Sequence, residues 1–172
     1  LNNKKVAIFG VGALGGYIAL ELARSGINEI RILDFDSIEP PTIVRWPLGL
    51  KSAGLSKTEE LKKFIHENYP TTNVIIENWR IGDLRIDGKM TKPIDLRSEV
   101  ELIENFLNGV NLIIDATAEE GINNYLSRKA YNIDLPYVML YATPGAWGGV
   151  VMRYLPGITG WQQSTLCLHG IA

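Results

Sequence analysis

The chain has 172 residues, 46% of them hydrophobic and 21% charged, with a net charge of −2. That is enough for one domain with a sizeable core, and the near-neutral balance gives no electrostatic reason to expect nucleic acid or an anionic membrane as a partner. A single cysteine, Cys167, excludes an internal disulfide framework and a CxxC zinc knuckle, so the expected setting is reducing and cytoplasmic.

The first residues lack the long apolar run of a signal peptide. The most apolar stretch, Leu135 to Leu155, is interrupted by Pro136, Pro144 and Arg153 and does not read as a membrane span. The chain starts at Leu1 and stops in mid-pattern at Ala172, as a processed product or a piece of a longer protein would.

Lys5–Phe9 reads as a buried strand, followed by Gly10-Val11-Gly12-Ala13-Leu14-Gly15-Gly16. A helix is predicted over Ala13–Ser25, with Leu14, Ile18 and Leu22 as its apolar face and Gly26 as its stop. Glu29–Leu33 is a second strand ending in Asp34-Phe35-Asp36. Ile38 to Leu55 reads as a long loop, and such loops are usually functional or disordered. Ser56 and Glu59 form a capping box for a helix running to Asn68. Val74–Glu77 is a short strand, and the polar stretch Ile81 to Arg97, with an Asp87-Gly88 turn, reads as a surface excursion. Ser98 and Glu101 cap a helix to Leu107. Val110–Asp115, Pro136–Tyr141 and Gly148–Tyr154 read as strands, with a helix over Gly121–Asn132.

Strands alternating with helices imply an α/β, Rossmann-like three-layer fold: a mostly parallel central sheet with helices on both faces. Ligands then bind beyond the carboxyl ends of the strands, where Gly10–Gly15, Asp34–Asp36, Asp115 and Ala142–Pro144 lie. A strand running into GxGxxG, a helix, and an acid at the end of the next strand together describe a nucleotide site. Gly10 permits the turn, Gly12 lets backbone N–H groups approach a phosphate, and Gly15 lets helix and strand pack closely. Asp34 and Asp36 can accept bonds from ribose hydroxyls. Arg45, in the long loop, and Lys57, in the first turn of the next helix, add two cations. That pair suits a triphosphate better than the pyrophosphate of a nicotinamide dinucleotide.

These residues resemble the MoeB/ThiF/HesA superfamily, adenylating relatives of ubiquitin-activating enzymes, over most of the chain from Lys4 to about Gly157. The carriers are GVGALGG (10–16), DFD (34–36), Arg45, Gly54-Leu55-Ser56-Lys57, DAT (115–117) and Gly148-Gly149-Val150. The resemblance implies an adenylation domain over 1–157, with 158–172 opening a crossover or C-terminal segment. It implies ATP and Mg²⁺ as cofactors, Asp36 on the ribose, and Arg45, Lys57 and Asp115 as catalytic residues. The implied reaction activates the C-terminal glycine carboxylate of a ubiquitin-like or sulfur-carrier protein, in a homodimer.

Three departures matter. Thr42 stands where the family has Asn, and Arg45 is followed by Trp46 where the family has Gln. Ala118 stands where the family has its Mg²⁺-binding Asp, which leaves Asp115 or Glu119 to take over the metal. Ala118 therefore also supports a second reading, a degenerate nucleotide-binding subunit. A third reading, an NAD-dependent oxidoreductase, shares the first 36 residues' logic but lacks a convincing catalytic acid or base. Cys167 is the one candidate for a thioester, with His169 its nearest base, but a lone Cys is more often a small buried hydrophobe. His66 reads as a surface residue of its helix. Trp46, Trp79, Trp147 and Trp161 share no helical or strand spacing, and Trp46 beside Arg45 could stack on an adenine or pack in the loop.

Overall fold

The structure, a computed structural model, describes residues 1–82, 96–142 and 149–158. Six strands form one sheet: β1 (Lys5–Phe9), β2 (Glu29–Leu33), β3 (Asn73–Glu77), β4 (Leu112–Asp115), β5 (Tyr137–Ala142) and β6 (Gly149–Tyr154). Their spatial order is β3-β2-β1-β4-β5-β6. The first five run parallel and β6 pairs antiparallel to β5. The helices are α1 (Gly15–Arg24), α2 (Lys57–Asn68), α3 (Leu96–Leu107) and α4 (Glu120–Asn132).

Strand alternation sends side chains to opposite faces, and the core divides accordingly. Ala7, Phe9, Ile113, Tyr137 and Met139 pack with Ile103 and Phe106 of α3 and Leu126 and Ala130 of α4. Val6, Ile8, Ile30 and Ile32 pack with Ala19 and Ala23 of α1 and Leu61 and Ile65 of α2. The three layers expected from the alternating pattern are therefore present. Among the described residues, no helix is long and apolar enough to cross a membrane.

Several local expectations are corrected. Leu14 is exposed and Ile18 and Leu22 are only partly buried; α1 buries its small residues Gly15, Gly16, Ala19 and Ala23 instead. That face lies so close to the glycine turn and to Trp46 that larger side chains have no room. Ser56 does precede α2, but its hydroxyl makes no capping bond. It meets Thr58 Oγ1 and Asn78 Oδ1 instead. Helix α3 starts at Leu96, so Ser98 lies inside its first turn, not at its cap. The long loop is built from two 3-10 turns, Pro40–Arg45 and Leu50–Ser52. The Asp87-Gly88 turn, Pro144, Trp147, Gly148, Trp161, Cys167 and His169 lie outside the described residues, as does 159–172 of the expected C-terminal segment.

At the lower end of the sheet, Arg31 is buried beside Glu29. Its Nε donates to Glu29 Oε1 at 2.8 Å, and a terminal nitrogen donates to Phe106 O at 2.6 Å, tying β2 to the last turn of α3. Burial acts to raise the Glu29 carboxyl. Hydrogen bonds from Arg31 and Asn73, with the charges of Arg31 and Lys5, more than offset it and hold the carboxyl below the usual carboxylate range.

Candidate nucleotide site

The register places Phe9 abreast of both Leu33 and Asp115, so three strands end together. Beyond them lie the glycine turn, the Asp34–Asp36 turn and residues 116–119. Gly10 N–H donates to Leu33 O at 2.9 Å and Ala116 N–H to Phe9 O at 2.8 Å, which locks the three turns to one another. The chain order reverses here between β1 and β4, the place where open α/β sheets open a crevice.

The glycines divide their work as the spacing predicts. Gly10 has φ +79°, and a Cβ there would meet the Ala116 and Thr117 backbone at 2.9 Å. A Cβ at Gly15 would sit 2.0 Å from Gly10 O. At Gly12 a Cβ would meet nothing within 4 Å, leaving its backbone open to a ligand.

Asp34 is buried and takes a different part from the one expected. Its Oδ2 accepts from Val11 N–H at 2.7 Å and its Oδ1 from Asp36 N–H at 2.8 Å. Both oxygens are thus engaged in holding the glycine turn to the acidic turn. Burial pushes its carboxyl up, against the pull of those two backbone bonds. Asp36 is half exposed and its Oδ2 accepts from Lys57 Nζ at 2.6 Å.

Two neighbouring clefts share Gly12 and Lys57. The larger, about 160 Å³, is lined among others by Asp34, Phe35, Asp36, Trp79, Arg80 and Thr117. The smaller, about 110 Å³, is lined by Gly12, Ala13, Thr42, Arg45, Trp46 and Lys57. The structure therefore brings together Gly10, Gly12, Asp34, Asp36, Arg45 and Lys57 at one crevice. Thr42 does not extend a donor into it, because its hydroxyl donates to Glu39 O at 2.8 Å. Trp46 is not free to stack: it is 5% exposed and its ring packs against Gly16. His66 is exposed on α2, as expected.

Asp115 is fully buried and lines neither cleft. Its Oδ1 accepts from Thr117 N–H at 3.1 Å and Thr117 Oγ1 at 2.7 Å. Its Oδ2 accepts from Asn123 Nδ2 and from Tyr137 Oη, each at 2.8 Å. Burial, reinforced by the adjacent carboxylate, pushes the Tyr137 phenol far up, so it stays a donor. With four donors on two oxygens, Asp115 does not present itself to a metal or to substrate; it shapes the 115–119 turn. Glu119 lines the larger cleft and faces Arg80 at 3.7 Å. Among the described residues no three His, Cys, Asp or Glu side chains group together. One exposed carboxylate already facing a guanidinium does not make a protein-held Mg²⁺ site, so the residues present do not fit that expectation.

Sequence reasoning missed the cleft's outer wall. Arg80 lies over the Phe35 ring, 5.2 Å from its centroid, and Trp79, Ile81 and Ile122 join the lining. No motif marks these positions: Trp79, Arg80 and Ile81 follow β3 and Ile122 lies on α4, and only the fold brings them alongside the end of β2.

The geometry defines a nucleotide-binding α/β domain with a glycine turn, an acidic turn and a cationic side cleft. The chain belongs to the ThiF family, whose match runs over residues 1–170, within the MoeB/ThiF superfamily. It is 36% identical, over 99% of its length and 30% of the relative's, to the uncharacterized protein y4oA of Sinorhizobium fredii. It is 34% identical, over 80% of its length and 34% of the relative's, to ubiquitin-like modifier-activating enzyme 5 of Caenorhabditis briggsae. The chain thus spans about a third of the length of these relatives. Among solved structures, Escherichia coli MccB with ATP has the same fold, with a TM-score of 0.74 at 23% identity over 99% of this chain and 46% of that one.

Proposed function

We propose that the domain binds ATP and adenylates a carboxylate, the C-terminal glycine carboxylate of a ubiquitin-like or sulfur-carrier protein. The observation that carries this reading is the adjoining pair of clefts. One is walled by Asp34 and Asp36, the other carries Arg45, and Lys57 and the open backbone of Gly12 are common to both. Family membership and the activating-enzyme relative support it. In the reaction, a carboxylate oxygen attacks the α-phosphorus, the bond to the bridging oxygen breaks, and pyrophosphate leaves with its electron pair. Two anions must be brought together, so catalysis is charge neutralisation and in-line positioning, without a protein nucleophile. Arg45 and Lys57 supply positive charge at the phosphate side. Asp36, released from Lys57, accepts from the ribose. Losing either cation would cost on the order of 10²–10³ in rate, by analogy with lost oxyanion donors. The reading extends to a homodimer in which residues 1–157 form the adenylation domain.

Pyrophosphate–ATP exchange, run on the full-length protein with a ubiquitin-like partner, tests the reading. Exchange dependent on partner and on Arg45 is expected; its absence with every small modifier offered would refute adenylation. Thermal shifts separate the nucleotide classes, because a ligand at 100 times its Kd stabilises by ~2.7 kcal/mol. A larger shift with NADH than with ATP would favour the oxidoreductase reading. The degenerate-subunit reading draws on Ala118 and on the poor fit to Mg²⁺. It predicts an ATP thermal shift without exchange.

A further inference from the structure

Asn108 and Gly109 follow the last turn of α3 and lead into β4, and they are the single Asn-Gly pair of the sequence. Every other asparagine is followed by a residue that carries a side chain. The pair lies before the first residue of β4, at the opposite end of the sheet from the nucleotide crevice.

Both residues are exposed. Gly109 has φ +72°, and a Cβ built there would meet nothing within 4 Å. With no side chain of its own and open space beside it, Gly109 leaves its nitrogen accessible. Hydrogen bonds hold the residues on either side. Asn108 N–H donates to Asn105 O at 3.3 Å and Val110 N–H to Leu107 O at 3.1 Å. The Gly109 N–H has no partner among the described residues, although backbone donors are normally paired when water is excluded. An uncommitted backbone nitrogen therefore directly follows an asparagine, one of the thermolabile residue types. The pair lines an open cleft of about 420 Å³ together with Glu104, Leu107, Lys129 and Ile133, so water reaches it.

We propose that Asn108 is a self-modification site, at which the chain cyclises through the Gly109 nitrogen and loses the side-chain amide. Hydroxide removes the Gly109 N–H proton, and the nitrogen attacks Asn108 Cγ. The new N–Cγ bond forms and the Cγ–Nδ2 bond breaks. Nδ2 leaves with the electron pair and takes a proton from water, departing as ammonia and restoring the hydroxide. The product is a five-membered cyclic imide. Water then adds to one of its two carbonyl carbons. Opening at Cγ gives aspartate; opening at the Asn108 main-chain carbonyl gives isoaspartate, in which the backbone runs through the former side chain. No oxidant or reductant is involved.

Either product places a carboxylate just past the last turn of α3, where the helix dipole is already negative. Glu104, four residues back, becomes a like-charged neighbour. Lys129 Nζ is paired with Glu104 at 2.6 Å, so one cation then serves two carboxylates. Isoaspartate also lengthens the main chain immediately before Val110, which is buried, and Asn111, whose N–H donates to Lys5 O at 2.8 Å. The modification thus strains the entry into β4 and leaves the crevice untouched.

The test incubates the full chain at mildly alkaline pH, with circular dichroism reporting that it stays folded. One portion contains hydroxylamine, which opens cyclic imides and cuts the chain at them; the other is followed by mass spectrometry and peptide mapping. Expected are a cut between Asn108 and Gly109, a mass gain of one amide-to-acid exchange, and aspartate with isoaspartate at position 108. All three are lost in Asn108→Gln, whose longer side chain would have to close a six-membered ring. An asparagine that stays intact at 108 in the folded chain, over a time in which the same chain in urea is converted, overturns the proposal. Conversion of other asparagines as fast as Asn108 overturns it equally.

Discussion

Alanine at Gly15 and alanine at Gly12 are the same chemical change three residues apart, and the structure predicts opposite outcomes. At Gly15 the new Cβ would lie 2.0 Å from Gly10 O, 3.0 Å from Gly10 C and 3.2 Å from Ala116 Cβ. The first contact is with backbone, and Gly10 is itself held by its bond to Leu33 O, so the clash cannot be relieved by a side-chain rotation. Overpacking of this kind costs about 1–3 kcal/mol, and more when backbone must move. We expect about 3 kcal/mol or more, which in a chain of this size lowers Tm by roughly 6–12 °C. At Gly12 the Cβ meets nothing within 4 Å and φ lies outside the left-handed range. Restricting the unfolded chain there is worth about 0.4–1 kcal/mol of added stability. The methyl group instead occupies the mouth shared by the two clefts, where a phosphate would approach. Crowding of about 1–3 kcal/mol there weakens ATP binding roughly ten- to hundredfold. Scanning calorimetry on both variants, with titration calorimetry for ATP, separates the two effects. A Gly15→Ala protein as stable as wild type, or a Gly12→Ala protein that binds ATP undiminished, would refute the division of labour argued for the turn.

Two further variants probe the rest of the frame. Glu29 has a folded-state pKa held below its ordinary value near 4.5. Its contribution is therefore present above pH 4.5 and is lost as pH falls through the lower folded value. Glu29→Gln should be less stable at pH 7 and show a shallower fall of the urea midpoint below pH 4.5; an unchanged acid limb would contradict the assignment. Asp34 carries the opposite sign: its raised pKa makes ionisation destabilising above about pH 3.8, and it must be counted separately in the same titration. Asp115→Ala strips the buried Tyr137 hydroxyl and the Asn123 amide of their acceptor. A loss of about 3–5 kcal/mol in urea unfolding is expected, while a mild effect would mean that the network is not what holds the 115–119 turn.

Strand β1 could be read to the residue because both of its faces are covered, so Val6–Phe9 is an unbroken apolar run; β2 kept the same bounds although its Glu29 and Arg31 alternate with Ile30 and Ile32. The glycine turn, Asp36 and Lys57 were legible for a related reason: they lie within 48 positions of one another, in a unit whose order dictates its geometry. Arg45 came with them through the loop that Trp46 anchors. What could not be read depended on distance or on size. Apolarity ranks Leu14, Ile18 and Leu22 above glycine and alanine, but at the start of α1 closeness of approach decides which face is buried. Asp115 reads as a catalytic and metal-binding acid at a strand end because its partners, Asn123 and Tyr137, lie on α4 and β5 and carry no motif. Arg80 and Phe35 meet only because β3 pairs with β2.

The Lys57–Asp36 pair gives the two clefts a common element. It is short, at 2.6 Å, yet one partner is half exposed, and such pairs are worth about 0–1 kcal/mol. A phosphate entering the cationic cleft therefore competes for Lys57 at small cost. Asp36, under the ATP reading, is then freed to accept ribose hydroxyls at the moment the phosphates are held. Under the ATP reading, the phosphates and the ribose should bind cooperatively through this single lysine. Adenosine, which carries no phosphate, leaves the ion pair intact and gains the ribose contact only by breaking it without compensation. On that reading, ATP should out-bind adenosine by more than the direct phosphate contacts alone would give, which titration calorimetry with both ligands measures.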